Sequence, residues 1–272
     1  MSDSFHYTPG SESELERLQL QARCLEGLTR RLIRESGIGP GMRVLDLGSG
    51  PGDVAILVAE AVGPAGSVLG VDREERSVLL ARRRAAEAGF ANVGFAIAAD
   101  DALPADAPFD AAIGRLVLIH QADPAAMIRR AAAAVRPGGI VAFLEPALHL
   151  DGHSLPELEL VSAASGSLKR FMAAALPSPD VAGRMISCFI KAGLPEPKVL
   201  WESVVPGSKD DIWLRSFILT YRTFLPLMQK FGTVDPRVGD PETLGERIMA
   251  EVYARGAQSV TGPFASAWAV KA

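Results

Sequence analysis

The segment Val44-Leu45-Asp46-Leu47-Gly48-Ser49-Gly50-Pro51-Gly52-Asp53 joins a short apolar run to three closely spaced glycines. A strand leading through a glycine-rich turn into a helix is the setting of a nucleotide-binding loop. Glycine suits that turn because it takes positive φ at no steric cost and lets a ligand approach the backbone. A second apolar run, Val68–Val71, ends in Asp72, 24 positions beyond Gly48. That spacing fits a carboxylate accepting hydrogen bonds from ribose hydroxyls.

Two kinds of ligand use such a frame. The dinucleotide fingerprint GxGxxG/A needs a small residue where this chain has Asp53, and an acid beside a pyrophosphate is repelled. A sulfonium ligand with an amino-acid end tolerates acids. S-adenosylmethionine is therefore the better reading, and NAD the weaker one.

His120 and Glu145 are the candidates for proton handling. His120 closes the run Leu116-Val117-Leu118-Ile119, and Glu145 closes Val141-Ala142-Phe143-Leu144 just before Pro146. Both fall at carboxyl ends of expected strands, where such sheets bind ligands. Histidine exchanges a proton near neutral pH, and a carboxylate can orient it. The blander alternatives are a packing or capping role for His120 and a structural hydrogen bond for Glu145. His6, His149 and His153 show no metal-ligand spacing with other donors, so no metal site is expected.

The elements that must position these residues follow from hydrophobic periodicity. Residues 12–35 repeat leucines and alanines at three and four, as an amphipathic helix does. Strands are expected at Val44–Leu47, Val68–Val71, Val93–Ala98, Ala111–Ile119 and Ile140–Leu144, with helices at 53–62, 74–88 and 124–135. This alternation implies parallel strands with right-handed crossovers. Beyond Glu145 the pattern predicts helices at 155–176, 180–192, 209–225 and 242–255, and strands at Lys198–Val205 and Phe264–Val270. The fold class is α/β, a doubly wound, mostly parallel seven-stranded sheet with helical lid insertions. Three stretches divide it: an N-terminal helical segment (1–40) closing over the cofactor, a cofactor-binding core (41–150), and lid insertions plus the last strands (151–272).

Residues 40–145 resemble the class I S-adenosylmethionine-dependent methyltransferases, small-molecule type, similar to the quinone-precursor and natural-product enzymes. VLDLGSGPG looks like the first motif of that family, and Asp72 matches its ribose-binding acid. Ala99-Asp100-Asp101-Ala102-Leu103-Pro104 resembles the motif whose Asp holds the adenine amino group. Phe109-Asp110 with Gly114-Arg115-Leu116, and Arg136-Pro137-Gly138-Gly139, match the fourth strand and the turn before the fifth. The resemblance implies that Gly48, Ser49 and Gly50 line the methionine part and that Asp72, with Arg73 beside it, faces the ribose. It implies Asp100 or Asp101 at the adenine and Arg115 flanking the cofactor. Asp46 either bonds the loop backbone or touches ligand.

The acceptor class follows partly by exclusion. Nucleic-acid amino-methylating enzymes resemble one another in an Asn/Asp-Pro-Pro-aromatic tetrapeptide, where this chain has Gly114-Arg115-Leu116-Val117, and neither Cys24 nor Cys188 follows a proline. A metal-free methyl transfer to a C, O or N atom of a small, aromatic or polycyclic metabolite is expected. The alternative keeps fold and cofactor without methylating: a cyclase, isomerase or accessory protein. Trp213, Phe217, Tyr221, Phe224 and Met228 share one helical face, which suits an acceptor wall, a core or a homodimer contact. Tyr7, in the segment before the first helix, is a further candidate for ligand contact, as is Gln21.

Bulk properties agree. A formal charge of −4 over 272 residues, 48% hydrophobic and 22% charged, suits a globular enzyme and disfavours a nucleic-acid partner. Arg82-Arg83-Arg84 reads as a solvated helix face. No run reaches the ~20 apolar residues of a membrane span, and no secretory signal pattern opens the chain. The paired-cysteine spacings of zinc knuckles and disulfide frames are missing, so a cytoplasmic location is expected.

Overall fold

The computed structural model describes residues 12–98, 108–150, 153–205 and 212–272. Its elements, in chain order, are α1 (Glu12–Ser36), β1 (Arg43–Leu47), α2 (Asp53–Val62), β2 (Ser67–Asp72), α3 (Glu75–Glu87), β3 (Val93–Ile97), β4 (Phe109–Arg115), α4 (Pro124–Ala134) and β5 (Val135–Pro146). Then come β6 (His153–Leu155), α5 (Glu159–Ala175), α6 (Met185–Lys191), β7 (Lys198–Glu202), α7 (Ile212–Lys230), α8 (Leu244–Arg255), β8 (Gln258–Val260) and β9 (Phe264–Val270).

Seven strands form one sheet in the order β3-β2-β1-β4-β5-β9-β7. Pairings β1–β2, β1–β4, β2–β3 and β4–β5 are parallel. This is the expected doubly wound, mostly parallel sheet. Central strands covered on both faces need unbroken apolar sequence, and Val44, Leu45, Ala111, Ala112, Ile113, Val141, Ala142 and Phe143 have no measurable exposure. Chain direction reverses its march across the sheet between β1 and β4. A crevice opens at such a switch point, at the carboxyl ends of the strands.

The chain divides into two compact units. The sheet unit comprises Glu26–Glu145, Val181–Trp201 and Ala265–Ala272. The helical unit takes the described residues of Met1–Leu25, Pro146–Asp180 and Glu202–Phe264. Within the helical unit, α5, α7 and α8 enclose an apolar cluster that includes Leu158, Phe171, Tyr221, Phe224, Met228, Leu244 and Ile248. Phe171 lies 5.5 Å from Phe224 and 5.6 Å from Phe231, ring centre to ring centre.

The structure departs from the sequence reading at four places. The strand expected through Ile119 stops at Arg115: Leu116 adopts φ 58° and Leu118–His120 forms a 3-10 turn. Strand β5 starts earlier than expected because Arg136–Gly139 is carried within it as an irregularity, where Asp110 Oδ1 accepts from Arg136 Nε at 2.7 Å. A two-stranded antiparallel ladder, β6 with β8, precedes and follows the helices. Helix α7 runs through Pro226 to Lys230 instead of ending near 225.

Candidate active site

The turn between β1 and α2 is built on positive φ. Gly48, Gly50 and Gly52 stand at 64°, 50° and 87°, a region where a Cβ costs roughly 1–2 kcal/mol per residue. A side-chain carbon at Gly48 would meet Val117 Cγ2 at 2.9 Å, and one at Gly52 would meet Phe95 Cζ at 2.9 Å. At Gly50 it would meet only open space. Two glycines therefore serve packing, and the third leaves room above the loop.

Asp72 holds this turn from β2. Its Oδ2 accepts from Gly50 N at 2.8 Å and its Oδ1 from Glu74 N at 2.9 Å. A carboxylate has about four lone-pair sites, so the half-buried Asp72 keeps capacity to accept from a diol. Arg73 beside it is exposed. From α3, Arg84 donates to Pro51 O and to Asp53 Oδ1, both at 2.6 Å. Arg82 donates to Phe95 O at 2.7 Å. Arg82 and Arg83, the latter 3.6 Å from Glu87, keep the exposed positions expected of the run, and the half-buried Arg84 alone is drawn under the glycine turn.

Behind the turn lies an unsatisfied carboxyl group. Asp46 is fully buried on β1, and neither oxygen reaches a hydrogen-bonding partner. The enclosed Ser49 hydroxyl has none either. Burial pushes the Asp46 carboxyl up to about 8, against the pull of the Arg115 guanidinium and, more weakly, of the nearby Ala55 amide, and reinforced by Asp72. Burial also lowers Arg115, while Asp53 and Asp46 hold it up. Arg115 Nη1 donates to Thr29 Oγ1 at 3.0 Å, which fixes the guanidinium against α1.

On the other side of the switch point, Glu145 is wholly enclosed. Its Oε1 accepts from Val117 N at 2.9 Å and Leu118 N at 2.8 Å, and Oε2 accepts from Ile119 N at 3.4 Å. Burial raises its carboxyl to about 8, opposed by those three amides. His120 is exposed at the end of the turn that these bonds secure. The structure thus places Glu145 behind the turn that carries His120.

The remaining expected residues divide into two groups. Tyr7, Asp100 and Asp101 lie outside the described residues. Trp213, Phe217 and Tyr221 lie on α7 of the helical unit. Tyr221 is interior to its cluster, Phe217 packs on that cluster from the side, and Trp213 sits 5.8 Å from the Phe264 ring. The sequence allowed Glu145 a structural hydrogen bond as the blander alternative, but not its partners, because the three donors belong to another segment. Among the described residues no three His, Cys, Asp or Glu side chains converge as a metal site, and no helix is long and apolar enough to cross a membrane.

Residues 38–176 match the family described as "Methyltransferase domain". The chain belongs to this family. The match falls on the glycine turn, Asp72 and both sides of the switch point, and it bears out the resemblance to class I S-adenosylmethionine-dependent methyltransferases. Nocamycin O-methyltransferase of Saccharothrix syringae is 35% identical over 121 residues, covering 44% of this chain and 43% of that one. Aklanonic acid methyltransferase of Streptomyces sp. (strain C5) is 34% identical over 119 residues, 43% of this chain and 54% of that one. The first curated relatives are spanned over only about a third to a half of their length. A methyltransferase-type structure from Bacillus halodurans superimposes with TM-score 0.60 at 17% identity over 89% of this chain and 98% of that one, a likeness of fold. The residues present fit S-adenosylmethionine, the cofactor of the family: open space stands over Gly50, Asp72 can take ribose hydroxyls, and the unpartnered Asp46 carboxyl suits an ammonium group.

Proposed function

We propose that this chain transfers a methyl group from S-adenosylmethionine to a carbon, oxygen or nitrogen atom of a small, aromatic or polycyclic metabolite, without a metal. The observation that carries the reading is the buried, unpartnered Asp46 carboxyl beneath a turn of left-handed glycines. A buried carboxyl without hydrogen-bonding partners is costly, and a bound ammonium group would let it ionise and give it a partner. The nearby Arg115 cation would meet the carboxylate of the same amino-acid end. Gly48, Ser49 and Gly50 would line that end, and Asp72, with Arg73 at the rim, would accept from the ribose hydroxyls. Asp100 or Asp101 would take the adenine amino group.

When bound, the cofactor supplies an electrophilic methyl carbon on a thioether leaving group. The chain has only to align the acceptor and take up its proton. His120 is the residue placed for that: exposed, at the carboxyl edge of β4, on a turn held rigid from behind. Tyr7, Trp213 and Phe217 are the candidates for acceptor contact, whereas Tyr221, expected there too, is wholly enclosed in its own cluster. The similarity to nocamycin and aklanonic acid methyltransferases supports a small-molecule acceptor, as does the lack of a strongly basic composition.

Calorimetric titration with S-adenosylmethionine, S-adenosylhomocysteine and NAD tests the cofactor. Micromolar binding of the first two and none of NAD is the expected result. Methyl-labelled cofactor incubated with polycyclic and phenolic acceptors then tests transfer, with His120→Ala as the control for proton removal. If neither sulfur cofactor binds, the proposal fails. A protein that binds cofactor and converts acceptor without releasing S-adenosylhomocysteine would be a non-methylating member of the fold.

A further inference from the structure

We infer that Glu145 is a positioning residue whose carboxyl group sets the cofactor loop through the turn after β4. The inference rests on the cofactor reading above and concerns a different residue. Strand pairing between β4 and β5 runs one step past the strands' register, with Leu116 N donating to Leu144 O at 3.0 Å. Beyond it the backbone is strained: Leu116, which is not glycine, is held at φ 58°. A bulky residue there persists only where its surroundings over-determine it. The next three amides, of Val117, Leu118 and Ile119, are the open donors of a 3-10 turn that no residue of its own caps. Glu145, from the adjacent strand, accepts from all three.

Val117 carries the constraint onward. Its Cγ2 would lie 2.9 Å from a Cβ at Gly48, and its Cγ1 2.8 Å from one at Gly114. The side chain therefore fills the gap between the cofactor loop and the end of β4, a gap that exists only because both flanking residues are glycine. Glu145 grips Val117 N, Val117 leans on Gly48, and Gly48 opens the loop that faces the ligand. Removing the grip leaves three buried amides unpaired beside a strained residue, and the turn relaxes away from Gly48. The carboxyl works as an acceptor of fixed geometry, so a glutamine that keeps one oxygen in the position of Oε1 retains the two short bonds.

The test combines S-adenosylhomocysteine calorimetry with backbone hydrogen exchange on wild type, Glu145→Ala and Glu145→Gln. With Glu145→Ala, binding weakens by about tenfold or more, the loss expected for buried amides left unpaired. Exchange accelerates at 117–119 and also at 48–50. Glu145→Gln restores affinity to within about threefold of wild type. A purely local structural role would speed exchange at 117–119 alone. A folded Glu145→Ala with affinity within twofold of wild type overturns the inference, and so does a Gln variant as weak as Ala. Should Glu145→Ala not fold, Val117→Ala removes the contact with Gly48 directly, and unchanged affinity there overturns the inference as well. Absence of binding by the wild type would instead bring down the cofactor reading itself.

Discussion

Ser167 and Asp46 are both fully buried, one in the helical unit and one in the sheet unit, and they are treated in opposite ways. The Ser167 hydroxyl donates to Ala163 O at 2.8 Å and accepts from Asp235 N at 2.9 Å. It is satisfied by its own unit, inside a packed cluster of Leu, Phe and Met. Asp46 has no such provision, and it shares its surroundings with left-handed glycines, a strained Leu116 and a guanidinium partly withdrawn from water. Natural chains break local packing rules where function requires it. Among the described residues, three of the four buried side-chain atoms without a hydrogen-bonding partner, both Asp46 oxygens and Ser49 Oγ, lie at the glycine turn. A ligand can make the deficit good there; the fourth atom is Tyr221 Oη in the helical unit.

That contrast can be broken by experiment. The largest expected effect is in the helical unit: Phe171→Ala empties a fully enclosed ring site and costs about 3–5 kcal/mol, read by urea denaturation. Cofactor affinity of the still-folded variant should match wild type, and a parallel loss of binding would show that packing there also serves the ligand. Asp72→Ala does the reverse. It frees Gly50 N and Glu74 N and should weaken S-adenosylhomocysteine by roughly ten- to a hundredfold with a smaller change in urea midpoint. Equal affinities for variant and wild type would remove Asp72 from the site.

A third prediction concerns pH. Asp46 and Glu145 are both raised by burial to about 8 in the folded chain, from 3.8 and 4.5. Between about pH 5 and about pH 8 the folded state therefore keeps protons that the unfolded chain has released, so the ligand-free protein loses stability as pH rises through that window. Urea midpoints across it should fall, and Asp46→Asn should flatten the slope. A midpoint that stays level, and that Asp46→Asn leaves level, would mean that both carboxyls are already ionised in the folded state. The smallest effect belongs to Arg237, whose pairs with Asp235 and Glu159 lie at the surface. Exposed ion pairs contribute little, so Arg237→Ala should leave the midpoint where it was.

Much of the sheet unit was legible in sequence because its rules are local. Helix α2 begins and ends where glycines flank an apolar run, and β9 spans the residues that alternation marked out. Legibility ended where a distant group decides the outcome. Val117-Leu118-Ile119 is apolar enough to continue a strand, and only a carboxylate from β5 makes it a turn. The ladder of β6 and β8 has three residues in each strand, too few to produce a period. Arg84 reads as a surface cation until Pro51 and Asp53 are brought beneath it. For the site, the residue types at 48–50 and 72 were readable from spacing, whereas the unpartnered state of Asp46 is a property of packing alone.

The interleaving of the two units along the chain also orders their assembly in time. The longest piece of the sheet unit, Glu26–Glu145, is continuous and carries β1 to β5, so its strands pair with neighbours made moments before. The helical unit is gathered from three stretches, with the Glu26–Glu145 piece between the first and second and Val181–Trp201 between the second and third. Closing loops of that length must precede any packing reward, and contacts of high sequence separation form slowly. During synthesis from the N-terminus, the glycine turn and its acids can be in place while α7 and α8 are still unmade. A nascent chain stalled just after Pro146 would then already hold the pieces of the cofactor cradle, with the helices that bear the aromatic stripe still to come.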